Sequence, residues 1–250
     1  MNTLKLASLL DELLAIDQVR DDSLNGLQVA NRGEVRKVAF AVDASLRAFT
    51  MAQEEQATMV FVHHGLFWGH EMSITGGHYQ RIQKLIQADM ALYAVHLPLD
   101  RHAEFGNSSV AASLLEWPDH EEFGIYHDVP IGRKVRFKSG KSVEAIKSQV
   151  EETLSCQAIL WPFGPESVEH AAFVSGGGIS LMEQAIEAGI DLFITGEPKH
   201  SYYWTAKEAG INVMFAGHYA TEILGVSAVA HYLRETTGLE TVILDLPTGH

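Results

Sequence analysis

The chain has 250 residues, 46% of them hydrophobic and 20% charged, and its 18 basic against 32 acidic side chains give a formal charge of −14. This length and composition fit one large α/β domain or two small lobes and exclude a disordered chain. The acidic balance disfavours nonspecific DNA or RNA binding, although a local positive centre such as bound metal would still attract a small anion. Cys156 is the lone cysteine. An internal disulfide and a thiolate zinc site within one chain are therefore excluded, and a reducing cytoplasm is the expected location.

In chain order, Met1–Asp17 carries Asp11 and Glu12 within an apolar pattern and reads as an amphipathic helix, not a signal peptide. No apolar stretch approaches the roughly 20 residues that span a bilayer, so no membrane association is expected. Asn25-Gly26-Leu27-Gln28 reads as a turn into the first strand. Strands are then predicted at 36–43, 58–62 and 91–95, alternating with helices at 45–55, 79–88 and 107–116. The second half repeats the rhythm, with strands at 171–175, 191–195, 212–216 and 241–246 and helices near 181–188, 202–209 and 221–234. Alternation of this kind implies βα units and mainly parallel sheet. Between the halves, 124–165 reads as a short β-α-β insert whose basic run Arg133–Lys138 (RKVRFK) is expected to be a solvated edge strand. The expected architecture is two α/β lobes, 1–123 and 166–250, with mainly parallel sheets and the insert between them.

Ligands in open α/β sheets bind beyond the carboxyl ends of strands, so the polar residues after each apolar run are the candidates for chemistry. His63-His64 follows TMVFV. Neutral imidazole is a common ligand for zinc and other borderline metals; one core and one surface histidine is the competing reading. His96 and Asp100 follow ALYAV, with Pro98 between them setting a turn. Asp100 is the better direct ligand, unless it is a simple cap, and His96 would orient a ligand or donate to substrate. His218 and Glu222 follow NVMFA four residues apart, on one face of a helical first turn. A carboxylate can bridge two ions, which makes Glu222 the natural bridge; a favourable contact with the helix dipole is its alternative role.

With His96 set aside as an orienting residue, these positions offer three imidazoles and two carboxylates, and two ions sharing a carboxylate can activate a water between them. Weaker candidates are Ser175–Ser180, either an anion cradle or a tight βα turn, and Glu197 and His200 as acid/base or substrate-contacting groups. Phe67 and Trp68 read as pocket wall or core.

In these residues the sequence resembles the Nif-three-like family, described as dinuclear-metal hexameric proteins and labelled GTP cyclohydrolase I type 2 homologues. The resemblance covers nearly the whole chain. It rests on NGLQV (25–29), VDAS (42–45), HHGLFW (63–68), LYAVHLPLD (92–100), GN (106–107), SGGG (175–178), DLFITGE (191–197) and AGHYATE (216–222). It implies that His63, His64, Asp100, His218 and Glu222 ligate two divalent ions (zinc, iron or manganese), with Glu222 bridging. It also implies a two-lobed fold assembled into a toroidal homohexamer. Where the family's usual proline follows the histidine pair, this chain has Gly65, and its middle insert is short. The activity expected is that of a metal-dependent hydrolase on a small anionic, nucleotide-like substrate, with Glu197, His96 or His200 shuttling protons. A metal-binding scaffold or regulatory partner without chemistry is the alternative.

Overall fold

The computed structural model describes residues 1–249. It is a mixed α/β structure in two compact units. The first comprises Met1–Leu99 and Gly225–Leu246, and the second Asp100–Leu224 with residues 247–249. In chain order the elements begin with α1 (Thr3–Leu14), β1 (Gly26–Val29), β2 (Lys37–Asp43), α2 (Leu46–Glu54), β3 (Met59–His64), α3 (Gly76–Gln87), β4 (Ala91–Ala94) and α4 (Leu97–Asp100). Next come α5 (Asn107–Leu114), β5 (Glu121–Tyr126), β6 (Val129–Ser142), α6 (Val143–Leu154), β7 (Ile159–Trp161) and β8 (Ser167–Phe173). The last are α7 (Met182–Glu187), β9 (Leu192–Thr195), α8 (Tyr203–Ala209), β10 (Asn212–Phe215), α9 (His218–Thr237) and β11 (Glu240–Ile243). Among the described residues no helix is long and apolar enough to cross a membrane.

The first unit holds a five-stranded sheet in the order β1-β4-β3-β2-β11. β4, β3, β2 and β11 run parallel and only β1 is antiparallel, so the expectation of mainly parallel sheet holds here. Parallel strands covered on both faces need continuous apolar runs, and β2, β3 and β4 supply them. Phe40, Phe61 and Tyr93 stand in register across these strands with ring centroids 5.0 and 5.6 Å apart, all fully buried. Truncating Phe61 to alanine would cost about 3–5 kcal/mol.

Helix α1 forms because Asn2 caps it, accepting from the Leu4 and Lys5 amides at 3.0 and 3.2 Å. It buries one stripe, Leu6, Leu10 and Leu14, spaced for a single face. Asp11 on α1 accepts the Tyr93 hydroxyl at 2.8 Å, tying the helix to the sheet. The stretch after β4 forms one helical turn, with Pro98 inside its first turn, where the missing amide costs nothing.

The second unit holds a six-stranded sheet in the order β5-β6-β8-β9-β10-β7. Only β8-β9-β10 is parallel; β5, β6 and β7 are antiparallel to their neighbours. The β-α-β stretch thus adds its strands to this same sheet. Ser142 caps α6 by accepting from the Ala145 amide at 3.1 Å. The helix then lays Val143, Ile146, Val150 and Leu154 into a core shared with Val135, Phe137, Phe173 and Ile194.

The basic run is an edge only in part. It lies in β6, where Arg133 and Lys134 pair with both β5 and β8, while Val135 and Arg136 pair with β8 alone. Its side chains alternate: Val135 and Phe137 point into the core while Arg136 and Lys138 are exposed. Lys134, Arg136 and Lys138 share one face, and Arg133 falls on the other with Val135 and Phe137. Arg133 is buried, and its guanidinium donates to the Gly132 carbonyl at 2.9 Å.

Candidate metal centre

Within the first unit, the end of β3 carries His63, fully buried, and His64, half-buried. His63 Nδ1 lies 3.0 Å from the Val95 carbonyl oxygen. A carbonyl can only accept, so the proton sits on Nδ1 and Nε2 carries the lone pair. His64 Nδ1 is 2.8 Å from Asp43 Oδ1, and His96 Nδ1 is 3.0 Å from Asp21 Oδ1. Ionised carboxylates accept only, so both rings have the same arrangement.

The three ring centroids lie 4.8, 5.1 and 5.8 Å apart. One ring nitrogen from each lies within 4.8 Å of the others. Metal-binding histidines characteristically give their second nitrogen to a carboxylate or carbonyl in this way, which fixes both tautomer and ring orientation.

The support for His96 is extensive. Asp21, with its side chain 3% exposed, also accepts from the Ser23 amide at 3.0 Å, the Asn25 amide group at 3.1 Å and the Leu97 amide at 2.9 Å. Asn25 accepts the His96 backbone amide at 2.8 Å. Burial pushes the Asp21 carboxyl up. The hydrogen bond and charge of His96, with the Ser23 and Asn25 donors, outweigh burial and bring it to about 2. Trp68 meets His96 edge-on at 5.1 Å and donates to the Gly65 carbonyl at 3.1 Å. Gln28 bonds both the Leu66 amide and the Leu24 carbonyl, each at 2.7 Å. A β-carbon at Gly65 would collide with the Gln28 amide and would lie 2.7 Å from the Ala94 side chain. Glycine is therefore the residue this loop needs. Phe67 packs instead against His78, edge to face at 5.4 Å.

Within the second unit, Asp100 is buried and accepts from Asn107 at 2.9 Å and from the Ser175 hydroxyl at 3.3 Å. His218 lies between two carboxylates, with Nδ1 3.1 Å from Glu197 Oε2 and Nε2 3.0 Å from Glu222 Oε2. The Glu222 hydrogen bond raises the imidazolium's pKa; burial opposes it, and Glu197 adds to the rise, which takes it to about 9. Glycines allow this crowding. A β-carbon on Gly176 would collide with Glu222 Oε1, and one on Gly196 would lie 2.6 Å from the Gly176 carbonyl and 2.8 Å from His218 Cα. The loop after β8 is thus a tight turn: the Gly176 amide donates to Thr221 Oγ1 at 2.9 Å, and the Glu222 carboxylate fills the space over its Cα. His200 is exposed, in a 3₁₀ turn three residues past Glu197.

All these donors are nitrogen and oxygen, a set that suits zinc, iron or manganese; the imidazoles that the first unit anchors through Nδ1 and the His218–Glu222 pair of the second are each of a kind that fits a divalent cation. Sequence reading missed the supports Asp21, Asp43 and Asn107. Asp43 ends an apolar run, as the histidines do, and was open to the same reasoning.

Residues 1–248 match the profile of the family described as Duf34/NIF3 (NGG1p interacting factor 3). The chain is 45% identical over 249 residues to a GTP cyclohydrolase 1 type 2 homolog of Archaeoglobus fulgidus, covering 100% of both chains. It is 43% identical over 246 residues to one of Pyrococcus horikoshii, covering 98% of each. The crystal structure of TTHA1606 from Thermus thermophilus superposes with a TM-score of 0.92 at 40% identity, covering 100% of both chains.

Proposed function

From the premise that this chain belongs to the Duf34/NIF3 family, we propose that it holds two divalent cations on His63, His64, Asp100, His218 and Glu222, with Glu222 shared, and hydrolyses a small nucleotide-like substrate. The observation that supports this most is the state of the donors. His63 and His64 each have Nδ1 committed to an oxygen acceptor, and His218 and Glu222 meet at 3.0 Å one helical turn apart.

Bound ions would supply Lewis acidity and an activated water. The chain's own residues would do the rest. Asn107 and Ser175 fix the Asp100 carboxylate, and the glycines at 176 and 196 admit Glu222 and His218. Glu197, in contact with His218 Nδ1, would carry a proton in this reading; His96 and His200 are the further candidates. The relatives' name points to GTP among purine nucleotides, and a toroidal homohexamer is the assembly proposed.

The test is metal analysis of protein purified without chelator, followed by turnover of GTP and a panel of phosphoesters. Two ions per chain and a turnover abolished by Glu222→Ala are expected. Metal-loaded protein inert toward every nucleotide would reject the hydrolase and leave a cation-binding scaffold.

A further inference from the structure

We propose that the two-glycine turn opening α3, with His78 and Arg81, binds a phosphate group. The ligand is a tetrahedral oxyanion, either inorganic phosphate or the phosphate of a nucleotide. The nucleotide as its source rests on the reading of this chain as a nucleotide hydrolase; the anion site itself does not.

The first amides of an α-helix have no acceptor within it, and a side-chain cap commonly serves one of them. Helices α1 and α6 have such caps in Asn2 and Ser142. Helix α3 is 12 residues long, and Thr75 stands at its N-cap without a side-chain bond to the turn. The Tyr79 amide is the first to find an acceptor, the Thr75 carbonyl at 3.1 Å. Those of Gly76, Gly77 and His78 are left over. Gly76 takes φ +53° and Gly77 continues as helix. A left-handed residue followed by a right-handed one turns consecutive amides toward one point, a concavity suited to anions. A β-carbon on either glycine would meet nothing within 4 Å, so the space before these amides is open.

Two side chains point to a ligand independently of the turn. His78 is 7% exposed, yet neither of its ring nitrogens has a hydrogen-bond partner, and neither has the enclosed Nε of Arg81 three residues on. In either tautomer one imidazole nitrogen carries hydrogen, and the Arg81 nitrogen always does. Two N–H groups are thus enclosed without an acceptor, although buried polar groups are normally paired. Helical side chains lean toward the N-terminus, which sets the His78 ring on the side of the glycine turn. Its ring neighbour Phe67 offers only an apolar contact, so turning the imidazole toward an anion breaks no hydrogen bond. An acceptor with several oxygens and negative charge meets all these donors at once.

Position gives the site its use. Helix α3 is the crossover between the parallel strands β3 and β4. Its N-terminus therefore lies at the carboxyl edge of the sheet, where β3 ends in His63 and His64. A phosphate bound there would hold a substrate by a part that does not react.

The experiment uses the full-length protein as purified. Calorimetric titrations with inorganic phosphate, GTP and guanosine measure binding. Crystals soaked in tungstate, a phosphate analogue, locate the anion by anomalous scattering. Tungstate is expected within hydrogen-bond reach of the amides of Gly76, Gly77 and His78. His78→Phe and Arg81→Gln should each lower phosphate affinity on the order of 10–100-fold. His78→Phe keeps a ring against Phe67 and removes only the nitrogens, so its melting temperature should hold or rise; should it fail to fold, Arg81→Gln and the tungstate position decide. GTP weakened by the same changes, with guanosine unbound, identifies the nucleotide's phosphate as the ligand, and inorganic phosphate alone weakened identifies the free anion. Tungstate found only elsewhere, an ordered water in its place over the glycines, or phosphate affinity unchanged in both variants overturns the proposal even if the chain holds metal and turns over GTP. Anion binding at the turn without metal or turnover upholds it and rejects the hydrolase.

Discussion

The two units present their donors in different states. In the first, three rings are anchored through Nδ1 to a carbonyl and two carboxylates, and each has its other nitrogen fixed in direction. In the second, His218 is clasped by Glu197 and Glu222 and keeps its proton to about pH 9. A strand end surrounded by oxygen acceptors makes ligands that are oriented in advance. A helical first turn with a carboxylate at i+4 makes a pair that neutralises itself and must lose a proton before a cation can replace it.

The largest expected effect tests that difference directly. Zinc affinity of donors that include His218 should fall about tenfold per pH unit below 9, on the order of 10²–10³-fold by pH 6.5; chelator competition across this range measures it, and a flat profile between pH 7 and 9 would erase the contrast. Without metal, the two units should also show opposite pH windows. The raised His218 pKa contributes stability that is full below about 6.5 and lost as pH rises through about 9. The depressed Asp21 pKa contributes stability present above its ordinary 3.8 and lost as pH falls through about 2. Urea midpoints at pH 3, 6 and 9 follow both.

Next in size is Gly176→Ala, where φ is +58° and the new methyl meets Glu222. A loss of about 1–3 kcal/mol in chemical denaturation is expected, together with weaker metal binding. Asn107→Ala removes the 2.9 Å donor to the Asp100 carboxylate and should lower metal affinity on the order of 10–100-fold with little change in melting. If it melts the protein instead, Asn107 is a structural residue. The smallest effect is a control: Ser142→Ala removes the α6 cap and should cost about 1 kcal/mol while leaving metal stoichiometry unchanged.

The candidate ligand positions were open to a sequence reading because each lies at or just beyond the end of an apolar strand, the place where α/β sheets expose side chains. The strands themselves were legible wherever both faces are buried, as in β2, β3 and β4. What escaped is non-local. Asp21 lies in a polar loop without periodicity, and its partner His96 is 75 residues away. Strand β5 opens on two exposed glutamates and alternates weakly, so the basic run after it looked like an edge. Gly65 looked like a departure from pattern until its contacts with Gln28 and Ala94 gave it a steric reason.

The first unit is assembled from two stretches of chain separated by the whole of Asp100–Leu224. Its sheet closes only when β11 pairs with β2, Glu240 beside Lys37. During synthesis on a ribosome, β2 must therefore wait, with an unpaired flank, until some two hundred further residues have emerged. The intervening unit has all six of its strands by then and is free to fold ahead of it. Vectorial translation thus gives the histidine-bearing sheet the later completion, and the nascent chain a long interval in which that open flank needs protection.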